Sequence, residues 1–298
     1  MRWHAACATG RPVIPVFIHD DPVAGLGAAP KWRLGLGLEA FGQALEAAGS
    51  RLSLRRGSAR DTLQALIRET GAGSVYWSRL YDPDAVARDT AGKSSLKEQG
   101  IEARSFGGHL MFEPWTVETK TGGFYKVYAP FWNMVKGRDV EAPRAEPGEI
   151  RSPESWPESD VLEDWQMGAA MNRGADIVRP HVRLGAAAAQ SRMAQFIDEI
   201  VADYDTTRNL PAVDGTSGLS ENLSLGEISP HQCWHAGLRA REEGKAGAET
   251  FLKELVWREF AYHLLLHTPR LLTGNWKEDW DAFPWNDNPD CEAVQRWK

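Results

Sequence analysis

The sequence predicts an α/β domain on a doubly wound parallel sheet, followed by an all-helical domain. Two observations carry this. Over about the first 125 residues, short β-rich apolar runs alternate with amphipathic helical stretches, the pattern of strand–helix–strand units. After a stretch rich in Pro, Glu, Ser and Asp (141–163), only long helical periodicities remain.

Residues 13–18 are the first apolar strand, and His19, Asp20, Asp21 and Pro22 turn the chain after it. Helical apolar spacing runs over 34–48 and stops near Gly49. A short strand at 51–54 precedes an amphipathic helix at 59–67, which ends before Gly71. Residues 74–77 form the next strand, closed by Tyr81-Asp82-Pro83; 84–99 are helical and 101–105 a further strand. A doubly wound domain normally opens with its most buried strand, yet only about ten helix-like residues precede Val13. The sheet is therefore expected to lack its first strand. Beyond the connector, helices are expected over 185–204 and 246–267. The expected organisation is an α/β domain over 1–130, a linker over 131–175 and a helical domain over 176–298.

Composition bounds the function only loosely. Hydrophobic residues are 42% and charged residues 25%, an ordinary globular balance. No apolar run is long enough to cross a bilayer, and residues 1–10 lack the pattern of a secretory signal, so a cytoplasmic address and no membrane partner are expected. Cys7, Cys233 and Cys291 are scattered without metal-site spacing, so free thiols and no metal are expected. A formal net charge of −7 argues against a protein coated with positive charge, but leaves room for a local basic groove. Thirteen tryptophans are many, and Trp156, Trp165, Trp276, Trp280 and Trp285 lie in polar stretches. Composition alone favours tryptophans that cap core edges over tryptophans that stack on bases or carry electrons.

Three motifs carry candidate chemistry. Gly35-Leu36-Gly37 suggests a dinucleotide loop, but Pro30-Lys31-Trp32-Arg33 stand where a buried strand is required, so it reads as helix. Gly215-Thr216-Ser217-Gly218-Leu219-Ser220 offers hydroxyl and backbone donors that can wrap an anion, and reads equally as a polar turn or helix cap. On the helix around 251–262, Phe251, Glu254, Trp257, Arg258 and Ala261 share one arc. That arc can receive a flat polar ligand, or simply present a solvated Glu254–Arg258 pair at i,i+4 spacing.

Taken together and in order, these segments resemble the class I DNA photolyase and cryptochrome family. The matching stretches are R-P-V-I-P-V-F-I-H-D-D (11–21), L-R-R-G (54–57), Y-D-P (81–83) and T-G-G-F-Y-K-V-Y-A-P-F-W (121–132). They continue with 204–208, G-T-S-G-L-S (215–220), G-E-I-S-P-H-Q-C (226–233), E-L-V-W-R-E-F (254–260) and F-P-W (283–285). The resemblance implies FAD folded into the helical domain and light-driven splitting of cyclobutane pyrimidine dimers, the activity of a deoxyribodipyrimidine photo-lyase. It assigns flavin contacts to Tyr204, to Thr216, Ser217, Gly218, Leu219 and Ser220, and to Phe251, Glu254 and Arg258. Damaged DNA is the implied partner, met by Arg208, Glu254, Trp257 and Arg258; the implied catalytic residues are Glu254 and Trp285, the latter resembling the outermost electron-carrying tryptophan. A folate or deazaflavin antenna is a further possible cofactor of the family, and residues 121–126 lack the Asn and Glu of some folate binders. A monomer is implied.

The sequence departs from the family pattern at both ends. The opening W-F-R-R-D-L-R strand motif is absent, as are the T-G-x-P-x-V-D-A motif and the inner tryptophans expected beyond Lys298. The FAD domain is thus expected to be incomplete, with FAD held weakly or not at all and repair activity lost in this chain alone. Two rival readings are a cryptochrome photoreceptor and a non-catalytic remnant; Glu254 and Trp257 favour repair.

Overall fold

The computed structural model describes residues 2–286 and 288–297. The α/β part runs α1 (Arg2–Cys7), β1 (Val16–His19), α2 (Asp21–Ala24), α3 (Ala28–Ala47), β2 (Ser53–Arg56), α4 (Ala59–Thr70), β3 (Ser74–Ser78), α5 (Pro83–Glu98) and β4 (Glu102–Phe106). Local chemistry sets these bounds. Ser58 caps α4 by accepting from Asp61 N, and left-handed Gly71 (φ 67) closes it. Asp82 caps α5 from Ala85 N, with Pro83 in the first turn.

Two boundaries differ from the expected ones for physical reasons. The first ladder begins at Val16 rather than at 13. Val13 N–H donates to Arg151 O at 2.8 Å in the connector, and Pro15 has no N–H to give. Helix α3 begins at Ala28, six residues early, because Pro30 falls in the first turn, where an amide hydrogen is not needed. Gly35 and Gly37 are therefore helical, and a Cβ at Gly35 would lie 3.1 Å from Met167 Cβ. The glycine serves close packing rather than a dinucleotide.

The sheet is parallel, as expected, but split. β1 pairs with β2 and β3 with β4, each in parallel register, and no ladder joins β1 to β3 among the described residues. A cavity of about 1170 Å³ takes that place, lined by Val16 and Ile18 on one side, Val75 and Trp77 on the other, and Trp3 of α1.

Every strand among the described residues precedes residue 107. The chain continues through α6 (Tyr128–Val135), α7 (Gly174–Val178), α8 (Gly185–Gln195), α9 (Tyr204–Thr207), α10 (Ser220–Leu225), α11 (Pro230–Glu242), α12 (Ala248–His267) and α13 (Glu292–Trp297). Helix α6 straddles the domain boundary expected at 130 and sinks Phe131, Trp132 and Val135 into the helical core. The connector over 141–162 holds no helix or strand, but Asp160 N donates to Leu54 O at 2.8 Å and Trp165 packs beside Phe17 and Leu54. The helix expected over 185–204 is α8 followed by a widened π-turn (Phe196–Ile200), which drives Phe196 fully into the core. Cys233 is also fully buried, which pushes its thiol up to about 12. No helix among the described residues is long and apolar enough to cross a membrane.

Candidate functional site

Helix α12 runs through the middle of the helical core and carries the candidate face. Leu252, Val256 and Phe260 are buried on one side, so the polar residues between them are held at fixed angles. Phe251 is buried, with its ring 6.0 Å from that of Tyr204 at 88° and 4.8 Å from that of Phe196. One turn on, Glu254 is ion-paired with Arg208 rather than with Arg258. Trp257, 45% exposed, lays one face on the ring of Tyr128 at 3.7 Å and 8°.

Arg258 turns away from this face. Its Nη1 donates to His109 O at 2.8 Å and to Glu259 Oε1 at 3.2 Å, and Nη2 lies 2.9 Å from His109 Nε2. The arc inferred from helical spacing is thus divided: Phe251, Glu254 and Trp257 line one surface, and Arg258 clasps the segment that follows β4. The expected i,i+4 pair does not form either. Tyr262 OH also lies 2.8 Å from His109 Nε2; because the guanidinium can only donate, this nitrogen accepts and the ring is neutral. Burial, reinforced by the Arg258 charge, pushes His109 down to about 4.

The hydroxyl loop is built from below. Arg192 of α8 is 4% exposed, and its guanidinium donates to Ser217 O (2.9 Å), Thr216 O (2.7 Å) and Asp214 Oδ1 (2.7 Å). With its carbonyls held inward, the loop leaves the Thr216, Ser217 and Ser220 hydroxyls without hydrogen-bond partners among the described residues. Thr216, Gly218 and Ser220 are exposed, while Leu219 is buried as the loop's foot. Tyr204, Thr207 and Arg208, on and just after α9, join the loop to the face. Tyr204 touches Phe251, Thr207 would clash at 2.7 Å with any Cβ at Gly215, and Arg208 holds Glu254.

Trp285 lies apart from this assembly. It is 59% exposed, its ring packs 4.5 Å from Phe283, and its Nε1–H donates to Trp280 O at 3.2 Å. Four residues in and around the site were absent from the sequence reading: Tyr128, His109, Arg192 and Arg183. Only Tyr128 fell within a quoted motif (121–132), so the others had no local signal to find them.

His263, on the buried side of α12, is likewise pushed down to about 4, mainly by burial. It accepts from Tyr125 N at 3.0 Å through Nε2, which requires a neutral ring. Both depressed histidines contribute stability that is complete above their unfolded pKa of about 6.5 and lost as pH falls towards 4. Glu259, pushed up to about 7 by burial, acts in the opposite sense and offsets one of the two protons. Between pH 6.5 and 4.5 these groups are expected to remove roughly 1.4 kcal/mol of stability per pH unit, one net proton's worth. Denaturant melts across that range check it, and His109→Gln should remove the net slope.

Comparison with known proteins shows the family of the chain. The sequence profile of a family described as DNA photolyase matches residues 3–148, and that of the FAD binding domain of DNA photolyase matches residues 251–298. The chain is 42% identical to the deoxyribodipyrimidine photo-lyase of Agrobacterium fabrum, over 98% of this chain and 61% of that one. It is 33% identical to the photo-lyase of a Synechococcus species, over 84% of this chain and 53% of that one. The crystal structure of a bacterial class III photolyase from Agrobacterium tumefaciens superposes with a TM-score of 0.92 at 40% identity, covering 98% of this chain and 61% of that one. The resemblance to class I is thereby corrected, since a class III protein is the relative matched at this level. The chain spans between half and three fifths of the length of these relatives.

Proposed function

Because the chain belongs to the photolyase and cryptochrome family, we propose that it works as a class III-type photolyase in light-driven cleavage of pyrimidine dimers in DNA, with FAD as cofactor. The observation that carries this reading is the continuity, through α9, of the hydroxyl loop with the Phe251–Glu254–Trp257 surface. The residues present fit FAD. Three uncommitted hydroxyls and a left-handed glycine (Gly218, φ 62) suit its phosphates, and Tyr204 and Phe251 supply an apolar wall for its rings. When bound and reduced, FAD supplies the electron that opens the dimer; the protein holds and tunes it.

The chain's own residues divide the remaining work. Thr216, Ser217, Gly218 and Ser220 donate to the phosphates, with Leu219 anchoring their backbone. Glu254, oriented by Arg208, sits where it accepts a hydrogen bond from either the flavin or the lesion. Trp257 offers its outer surface to a base turned out of the duplex, since chemistry on a base inside a duplex requires that it leave the stack. Arg258, committed to His109 and Glu259, acts by fixing the helix rather than by touching ligand. Arg208 contributes charge near the DNA, and Trp285 an exposed ring at the electron-entry side.

Trp257→Ala tests the reading. It is expected to weaken binding to dimer-containing DNA about ten- to hundredfold, the value of one stacked base, and to leave binding to undamaged duplex unchanged. Gel-shift titrations of both DNAs measure this. Equal loss on both, or none on either, would reject lesion recognition at this surface. FAD retention without any selectivity for damaged DNA would point to the photoreceptor reading instead.

A further inference from the structure

Gly218 stands out within the hydroxyl loop. Its φ is 62, and a Cβ built on it would lie 3.1 Å from Arg183 Nη1, 3.7 Å from Arg192 Nε and 3.8 Å from Arg192 Nη2. A Cβ at this position would press on one guanidinium, that of Arg183, and touch a second, that of Arg192, at ordinary contact distance. They are not equivalent. Arg192 is buried and fully committed to loop carbonyls, Asp214 and Gln195. The Arg183 guanidinium is only half-buried and has no carboxylate and no hydrogen-bond partner among the described residues.

The Arg183 backbone, by contrast, is tightly fixed. Its N–H donates to Glu221 Oε1 at 3.3 Å, and its carbonyl accepts from Arg33 Nη2 at 3.0 Å and Asn222 Nδ2 at 2.8 Å. A fixed backbone delivers the side chain to the loop, where five N–H donors arrive with nothing to receive them but solvent. A planar guanidinium matches phosphate oxygens two at a time. Beside it stand the uncommitted hydroxyls of Thr216, Ser217 and Ser220.

We propose that Arg183 is the cationic phosphate contact of this loop, and that glycine at 218 supplies the left-handed turn and leaves that guanidinium its close approach to the loop. The ligand class is a nucleotide carrying a diphosphate. This deepens the FAD reading and rests on it: the flavin ring is recognised by the α12 face, and the diphosphate by Arg183 with the loop. Arg192 positions the loop without touching the ligand.

Titrating the whole chain with FAD and with riboflavin, which has the same ring system but no phosphate, separates the two contributions. Wild type is expected to prefer FAD. Arg183→Met is expected to lower FAD affinity roughly ten- to hundredfold, as for a lost charge-assisted hydrogen bond, and to leave riboflavin affinity unchanged. Arg183→Lys should recover part of the loss, keeping the charge without the fork. Gly218→Ala, which crowds Arg183 and strains a left-handed backbone, should lower FAD affinity less than Arg183→Met does, and the part of its effect that acts through Arg183 should vanish in the double variant. Arg183→Met with an intact FAD-over-riboflavin preference would overturn the proposal and leave the FAD reading standing. A wild-type chain that binds neither compound, or both equally, would overturn the FAD reading and this proposal with it.

Discussion

Replacing Arg33 with Met is expected to remove about 3–5 kcal/mol of stability, the usual result of stripping one partner from a buried ionic cluster. Arg33 is on α3 of the α/β part, yet everything it binds belongs to the helical part. Its Nε meets Glu221 Oε2 at 2.5 Å, its Nη2 meets Glu227 Oε2 at 2.5 Å, and its Nη1 meets Glu227 Oε1 at 3.1 Å. A further bond goes from Nη2 to Arg183 O at 3.0 Å. Burial alone would lower the Arg33 pKa, but the hydrogen bonds it donates to Glu227 and Glu221 outweigh it and hold the group above its ordinary value. Without Arg33, two carboxylates lose their cationic partner and keep only neutral donors, in a region where the Arg33 and Glu227 side chains are each only 10% exposed. Methionine fills similar space, so the loss isolates charge rather than volume. Urea melts followed by tryptophan fluorescence measure it. Adding Glu221→Leu and Glu227→Leu should restore much of the loss, because an apolar cluster needs no counter-charge. If the triple variant is no better than Arg33→Met, the penalty lies in packing and not in orphaned charge.

How far the sequence reveals such features depends on the range over which they act. Ser58, Gly71 and the Asp82-Pro83 pair bracket their helices within a few residues, so α4 and α5 were legible directly. Helix α11 carried an equally local signal, Ser229 with Gln232 as a capping box and Pro230 after the cap, but it went unread inside a motif. The Arg33 cluster is a different case, because its partners are 188 and 194 positions away and no periodicity connects them. The face of α12 is intermediate. Helical geometry placed Phe251, Glu254 and Trp257 together correctly, but it could not tell which neighbours compete for each side chain. Arg208 took Glu254, and His109 took Arg258. Tyr128 met Trp257 because α6 crosses the expected domain boundary and turns its aromatic side to α12. Parallel pairing was readable from the alternation of strands and helices, but the split between the β1–β2 and β3–β4 pairs was not, because alternation does not say which strands meet.

The second large effect is expected at Glu259, the other buried clasp between the two parts of the molecule. This side chain is 1% exposed; its Oε2 accepts from Met111 N at 2.8 Å and Phe112 N at 3.1 Å, and its Oε1 from Arg258. Glu259→Ala leaves two backbone donors without an acceptor and strips Arg258 of its carboxylate, and is expected to lose about 3 kcal/mol or more. Glu259→Gln separates shape from charge. Burial pushes the Glu259 carboxyl up to about 7, against the pull of two backbone N–H groups and Arg258. A folded pKa above the unfolded one means that this group's contribution is complete below about pH 4.5 and declines as pH rises through 7. Gln does not titrate, so its deficit relative to wild type should be largest near pH 5 and shrink by pH 8. Melts of the two proteins at those pH values decide the matter. A deficit that instead grows with pH would show that the ionised carboxylate is the form the fold selects, with its attraction to Arg258 outweighing desolvation.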